Sequence, residues 1–450
     1  MTSEIALMNR QAIALAADSA VTVTYWRDGE RKERYFKGAN KIFNLSVQAP
    51  IALMINDSAD LLGVPWEVIA KAYREKLGSR QLDKLEDYVS DFLKFIESNK
   101  YIYPDSYRQD RFISDVITSS GFLLFLSDIR SDIDKEKDLD KRKELFSPRW
   151  EGLEGRVARA EFFNGITQEY VDSLFEKYAD VLIERGKKDE TVARYLDIVD
   201  ARKLIQMAVI ALHKRGMSVL ASSGIVIAGF GANDFFPKLQ IYQHFGMALD
   251  RSFCVQEADG HREISHGNVS EVIPLAQSDM VKTFINGASS SLFREIQSAA
   301  MESFEAFEGE LKNRNLLADE ASGKEAVEAA YDRFGDVLTR KLIASHTMPM
   351  KRVVGLLPID ELAELAEILI RIESLKERVT RESEQVGGPI DVAVISKGDG
   401  FIWIKRKHYF DPELNPRYFL RKGTMDHARS ETAQEPARKV RSRSKKTGPS

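Results

Sequence analysis

The sequence predicts an α+β fold in which sheets stack on one another and helices cover their outer faces. Strand-patterned segments come in three blocks, before residue 58, over 223–256 and over 390–406, with helical periodicity between them. The run Ile225-Val226-Ile227-Ala228 is apolar at every position, as in strands buried on both faces. From Ser58 the apolar positions Leu61, Leu62, Val68, Ile69, Ala72 and Tyr73 mark an amphipathic helix that ends near Gly78. Buried strands and one-sided helices combine most readily as packed layers.

The first block opens with apolar runs 4–8 and 12–16 around the polar turn Asn9-Arg10-Gln11, which reads as a hairpin. Residues 19–26 are β-branched and aromatic, followed by a charged tip at Asp28-Gly29, then Arg34-Tyr35-Phe36. A further strand pair covers 41–47 and 51–55. Residues 80–195 are rich in charge with helical apolar spacing, and read as a helical insertion between core segments 1–79 and 196–425. Within it, 129–144 is nearly all charge and reads as a solvated helix or a linker. Strands return at 223–230, 238–245 and 251–256, and helices dominate 289–346 and 358–380. The second of these has Pro358 near its first turn and Asp360 and Glu361 beside the positive end of the dipole. Gly387-Gly388-Pro389 breaks that helix, and strands 390–396 and 400–406 follow around Lys397-Gly398-Asp399.

Composition narrows the class. A hydrophobic content of 43% with 30% charged residues in 450 positions describes a globular chain with ample core material. Cys254 stands alone, which excludes an intrachain disulfide or a cysteine metal cluster, and the seven histidines show no zinc spacing. No apolar run reaches bilayer length and no signal peptide is evident, so no membrane association and a cytoplasmic location are expected. The segment 426–450 is basic and lacks aromatic residues, and is expected to be a disordered, solvated tail; a nucleic-acid or acidic-surface arm is its other reading.

Chemistry concentrates at the N-terminus. IALMNRQAIALAADSAVT resembles the opening of proteasome β-subunits and their bacterial relatives, with Thr2 and Asp18 separated as that family separates its nucleophile and aspartate. Lys41 in Asn40-Lys41-Ile42-Phe43 matches the family lysine, with extra residues at the charged hairpin tip. MINDSADLLGVPWEVIAKAYR, IVIAGFG, FINGASSS and VGGPIDVAVISKGDGFIWI resemble further family elements in the family's order. The resemblance implies a four-layer αββα N-terminal-nucleophile hydrolase sandwich carrying a large helical insertion. It also implies a threonine-type peptidase whose Thr2 is exposed by removal of Met1. The implied catalytic residues are Thr2, Asp18 and Lys41; Thr22, Asn56 and Ser289 are implied in substrate binding and oxyanion stabilisation.

An N-terminal threonine suits this chemistry because its own α-amine, with a reference pKa near 8, can take the hydroxyl proton. A lysine held against an aspartate keeps positive charge beside it. No metal or organic cofactor is implied; the expected partners are a peptide or protein substrate and further copies of the chain. Two departures stand out. Asn56-Asp57 occupies the place of a family glycine, and Ser383 to Val386 replaces the family's Asp and Ser before the Gly-Gly break. A catalytically inactive scaffold and a small-molecule amidase are therefore the alternative readings. The insertion is expected to act as a lid or an oligomer interface, with Phe92, Leu93, Phe95 and Ile96 beside Phe122, Leu123, Leu124 and Phe125 as its apolar surface, and to prevent a closed seven-membered ring.

Overall fold

A computed structural model describes residues 3–27, 30–126, 130–276, 279–317, 320–380 and 387–420, with backbone only at 22–27, 30–33, 130, 131, 134, 320 and 322. Strands β1 (Ser3–Asn9) and β2 (Ala12–Ala17) form the first hairpin, closed by Asn9, whose Oδ1 accepts the Gln11 and Ala12 amides at 2.9 and 3.1 Å. Next come a ribbon of β3 (Ala20–Arg27) and β4 (Glu30–Lys37), then the paired β5 (Ile42–Asn44) and β6 (Ile51–Asp57). The helix expected from Ser58 begins later. A short hairpin of β7 (Asp60–Leu61) and β8 (Val64–Pro65), turned by Leu62 (φ 51°) and Gly63 (φ 77°), precedes α1 (Trp66–Leu77).

Helices α2 (Leu85–Ser98), α3 (Asp105–Phe125), α4 (Arg130–Lys135), α5 (Leu139–Arg159), α6 (Gln168–Lys188), α7 (Glu190–Ala193) and α8 (Ala201–Leu212) follow. Strands return as β9 (Ser223–Gly229), β10 (Lys238–Ala248), β11 (Arg251–Glu263) and β12 (Ser270–Ala276), the last not expected from the sequence. Then come α9 (Asp279–Asn286), α10 (Ser290–Asn313), α11 (Glu320–Leu342), a π-helical turn over 343–347, α12 (Met348–Val354) and α13 (Ile359–Thr380). Strands β13 (Asp391–Ser396) and β14 (Gly400–Lys405) form the expected hairpin, and a helical turn over 416–420 follows. Among the described residues no helix is long and apolar enough to cross a membrane.

Two antiparallel five-stranded sheets organise these elements, in the orders β12-β1-β2-β13-β14 and β11-β10-β9-β6-β5. Strand periodicity explains their packing. On β1, Ala6 and Met8 face Ala52, Met54, Val226 and Leu239 of the other sheet, whereas Ile5 and Leu7 point the opposite way, toward α13. The second sheet presents Leu53, Ile55, Ile225 and Ile227 on its far face to Trp66, Ile69, Tyr73 and Phe92 of α1 and α2. Continuous apolar runs are what strands covered on both sides require.

The apolar residues expected to form a surface on the helical segment are mostly interior. Phe92, Phe95 and Ile96 are buried beneath the second sheet, and Leu123 and Leu124 lie inside a separate helical core with Phe112, Trp150 and Leu182. Amphipathic periodicity marks which residues share a face, but not whether that face meets its own chain or another. Phe125 alone of the named set stays strongly exposed, at 63%.

Leu239 is fully buried between the sheets. Leu239→Ala is expected to cost about 2–5 kcal/mol. A chemical denaturation curve should show a lower midpoint with an unchanged slope.

Candidate active site

The candidate site gathers around the Asp18 carboxylate at the end of β2. Asp18 Oδ1 receives the Lys41 ammonium at 2.5 Å and the Ser3 amide at 3.1 Å, while Oδ2 accepts the Gly387 amide at 2.8 Å. Three distant segments therefore meet on one side chain. Lys41 is placed by the strand it precedes, because its carbonyl accepts the Ile55 amide of β6 at 2.9 Å. The Gly-Gly break is needed for its geometry. Gly388 adopts φ 86°, and a Cβ there would come within 3.1 Å of Lys37 Cβ and 3.5 Å of Ser19 Cβ. Ser19 Oγ then donates to the Pro389 carbonyl, holding the entry into β13.

A residue absent from the sequence reading completes the cluster. Glu4 Oε1 lies 2.8 Å from Lys41 Nζ, and neither carboxylate side chain on this lysine is solvent-accessible. Glu4 shares its pleat with Ala6 and Met8, so it faces the space between the sheets. The signal was present: a charged residue inside a strand buried on both faces must find a partner. Burial by itself works against the Lys41 ammonium, but the Glu4 and Asp18 carboxylates more than reverse this and hold its pKa above the ordinary lysine value.

Of the residues implied by the resemblance, the structure thus brings Asp18 and Lys41 into contact. Thr2 lies outside the described residues; it is bonded through its carbonyl carbon to the Ser3 nitrogen that Asp18 holds. Asn56 sits one residue past Ile55, largely buried, with its side chain over Gly224 of β9, where an added Cβ would lie 1.9 Å from Asn56 Oδ1. The next residue, Asp57, adopts φ 61°, the left-handed conformation that glycine takes most readily. Thr22 pairs with Tyr35 along the β3–β4 ribbon, its side chain being outside the described residues. Ser383 to Val386 also lie outside them.

Ser289 has a local structural role. Its Oγ accepts the Leu292 amide at 3.1 Å as the N-cap of α10, beside Ser291 Oγ at 3.0 Å. It lines a cleft of about 560 Å³ with Phe293, Arg294, Thr339 and Ile343. Among the described residues, none of its hydrogen bonds reaches Asp18 or Lys41. Among the described residues, too, no cluster of three or more His, Cys, Asp or Glu side chains is placed to hold a metal ion.

Compared with known proteins, the chain matches no protein-family model, and no curated protein matches it in sequence. The cluster itself offers a buried ammonium beside an anchored backbone at the start of β1.

The cluster makes stability dependent on Lys41. With a raised pKa, its contribution is fully present below the unfolded lysine value of about 10.4 and is lost only as pH rises through the higher folded value. The sequence alone suggests that Lys41→Ala spares the fold; the second carboxylate reverses that expectation. Lys41→Met leaves two buried carboxylates facing one another and should cost about 3–5 kcal/mol at neutral pH. Thermal melts of the variant should improve relative to the native chain as pH falls toward 5, where one carboxyl can take a proton.

Proposed function

We propose that the chain is an N-terminal-nucleophile hydrolase of the proteasome β type, cleaving peptide bonds with Thr2 after Met1 is removed. The observation that carries this reading is the contact of Lys41 with Asp18, two residues singled out by the family resemblance, at 2.5 Å and buried. The packing supports it as well, since two face-to-face sheets with helices on their outer faces are what a four-layer αββα sandwich requires.

In the proposed reaction the Thr2 α-amine takes the hydroxyl proton as Oγ attacks the substrate carbonyl. The Lys41 ammonium, held by Asp18 and Glu4, keeps its proton and supplies a fixed positive charge beside the developing oxyanion. Asn56, in the place of the family glycine, is the residue proposed to stabilise the oxyanion. The tetrahedral adduct collapses to an ester on Oγ as the amine leaves with a proton; water then attacks the ester and regenerates Thr2. An extended peptide is the favoured substrate, because β3 pairs only with β4 among the described strands and leaves an edge for strand addition next to Thr22.

A non-catalytic scaffold is the second reading, and Glu4 is the observation favouring it. A second carboxylate on Lys41 draws down the local positive potential that an oxyanion would use.

Intact-mass spectrometry separates the two. The catalytic reading expects a chain lacking Met1 that gains one adduct from a threonine-directed epoxyketone, with the adduct lost in Thr2→Ala. A native chain that remains unlabelled, or full peptidase activity from a stably extended N-terminus, would sink it.

A further inference from the structure

Helix α13 is apolar on two sides. Its inner face, with Leu362, Ala366, Leu369 and Ile370, is buried against β1, β2 and β13. A helix in that position ordinarily turns a polar face to solvent. Here the outer side carries Ile368, Ile372, Leu375 and Val379, and Leu365, which also packs on the inner core, continues their three-and-four spacing at its edge. Ile368, Ile372, Leu375 and Val379 are 41, 38, 62 and 79% exposed, too much aliphatic surface for a solvated face.

Apart from Val379, which falls opposite Glu361, the seam is its own complement. In an antiparallel pairing about a two-fold axis, Leu365 of one copy meets Leu375 of the other, and Ile368 meets Ile372. Four layers result, each of two aliphatic residues of equal size. The flanking positions agree in charge. In the same register Glu364 of one copy falls level with Arg378 of the other, twice by symmetry. Arg371 falls near the axis, where its repulsion is reduced by its own Glu367 at 2.5 Å.

We propose that the outer face of α13 is the interface of a two-fold homodimer, built by antiparallel packing of α13 on a second copy of this chain. Nothing in this interface requires that the chain be catalytic. It also lies apart from the helical segment 105–212, most of whose buried apolar residues form a core of their own.

Sedimentation velocity on the full chain at about 10 µM tests the proposal, since an interface with a Kd near 1 µM is then mostly occupied. The native chain should run as a dimer. Leu375→Glu, at a position too exposed to damage the fold, should run as a monomer with an unchanged thermal melt. Glu364→Arg and Arg378→Glu should each weaken association by about tenfold. Combining the two exchanges should restore the native Kd. A native monomer, an assembly of any size that survives Leu375→Glu, or a double exchange that fails to recover affinity would each overturn the proposal.

Discussion

A buried carboxylate has to be matched, and the way Asp18 is matched organises the rest of the molecule. Its two oxygens accept from the Ser3 amide, the Lys41 ammonium and the Gly387 amide, so the start of β1, the approach to β5 and the entry to β13 converge on it. Each donor is costly to bury alone and becomes tolerable only when the others are in place. The same carboxylate therefore sets where the first sheet ends, where the second sheet is joined, and where the proposed nucleophile is attached.

Around that point the layers follow from side-chain volume. On β2 the residues facing α13 are Ala12, Ala14 and Ala16, and α13 answers with Ala363 and Ala366. Small residues on both surfaces let the helix lie close to the sheet, with Leu362, Leu369 and Ile370 filling the flanks. The space between the sheets is filled by larger groups such as Met8, Met54, Leu239 and Ile395. Glu4 interrupts this apolar stratum, and Lys41 makes the interruption possible. The same close docking of α13 leaves its aliphatic outer side as surplus, which connects the interior packing of the protomer with its proposed assembly.

The helical segments divide by whether they complete their own core. Helices α3, α5, α6 and α8 enclose Phe112, Trp150, Phe175 and Leu204, together with Phe253 of β11. The pair α10 and α11 does not: α10 has no buried residue, although Phe304 packs edge-on against Phe334 at 6.2 Å. Two helices alone cover only one side of each seam. Ser289, at the foot of this pair, is accordingly committed to capping a helix.

Local signals in the sequence were sufficient for the first hairpin, the Gly387-Gly388 break and the terminal hairpin, whereas the pairing of Asp18 with Lys41 was implied only by the family resemblance. Those three elements are dictated by short-range pattern or by turn chemistry. Strand β12 was not legible, because its Ser270–Ala276 pattern contains Pro274 and becomes a strand only by pairing with β1 at the sheet edge. Glu4 was visible as a charge in an apolar strand, yet its partner lies far along the chain, and only the folded backbone brings Lys41 to it. The apolar faces of α2 and α3 and of α13 look alike in sequence, since periodicity records which residues share a side of a helix. Which of those sides is closed by the chain itself, and which stays exposed, depends on long-range packing, and only the tertiary structure decided it.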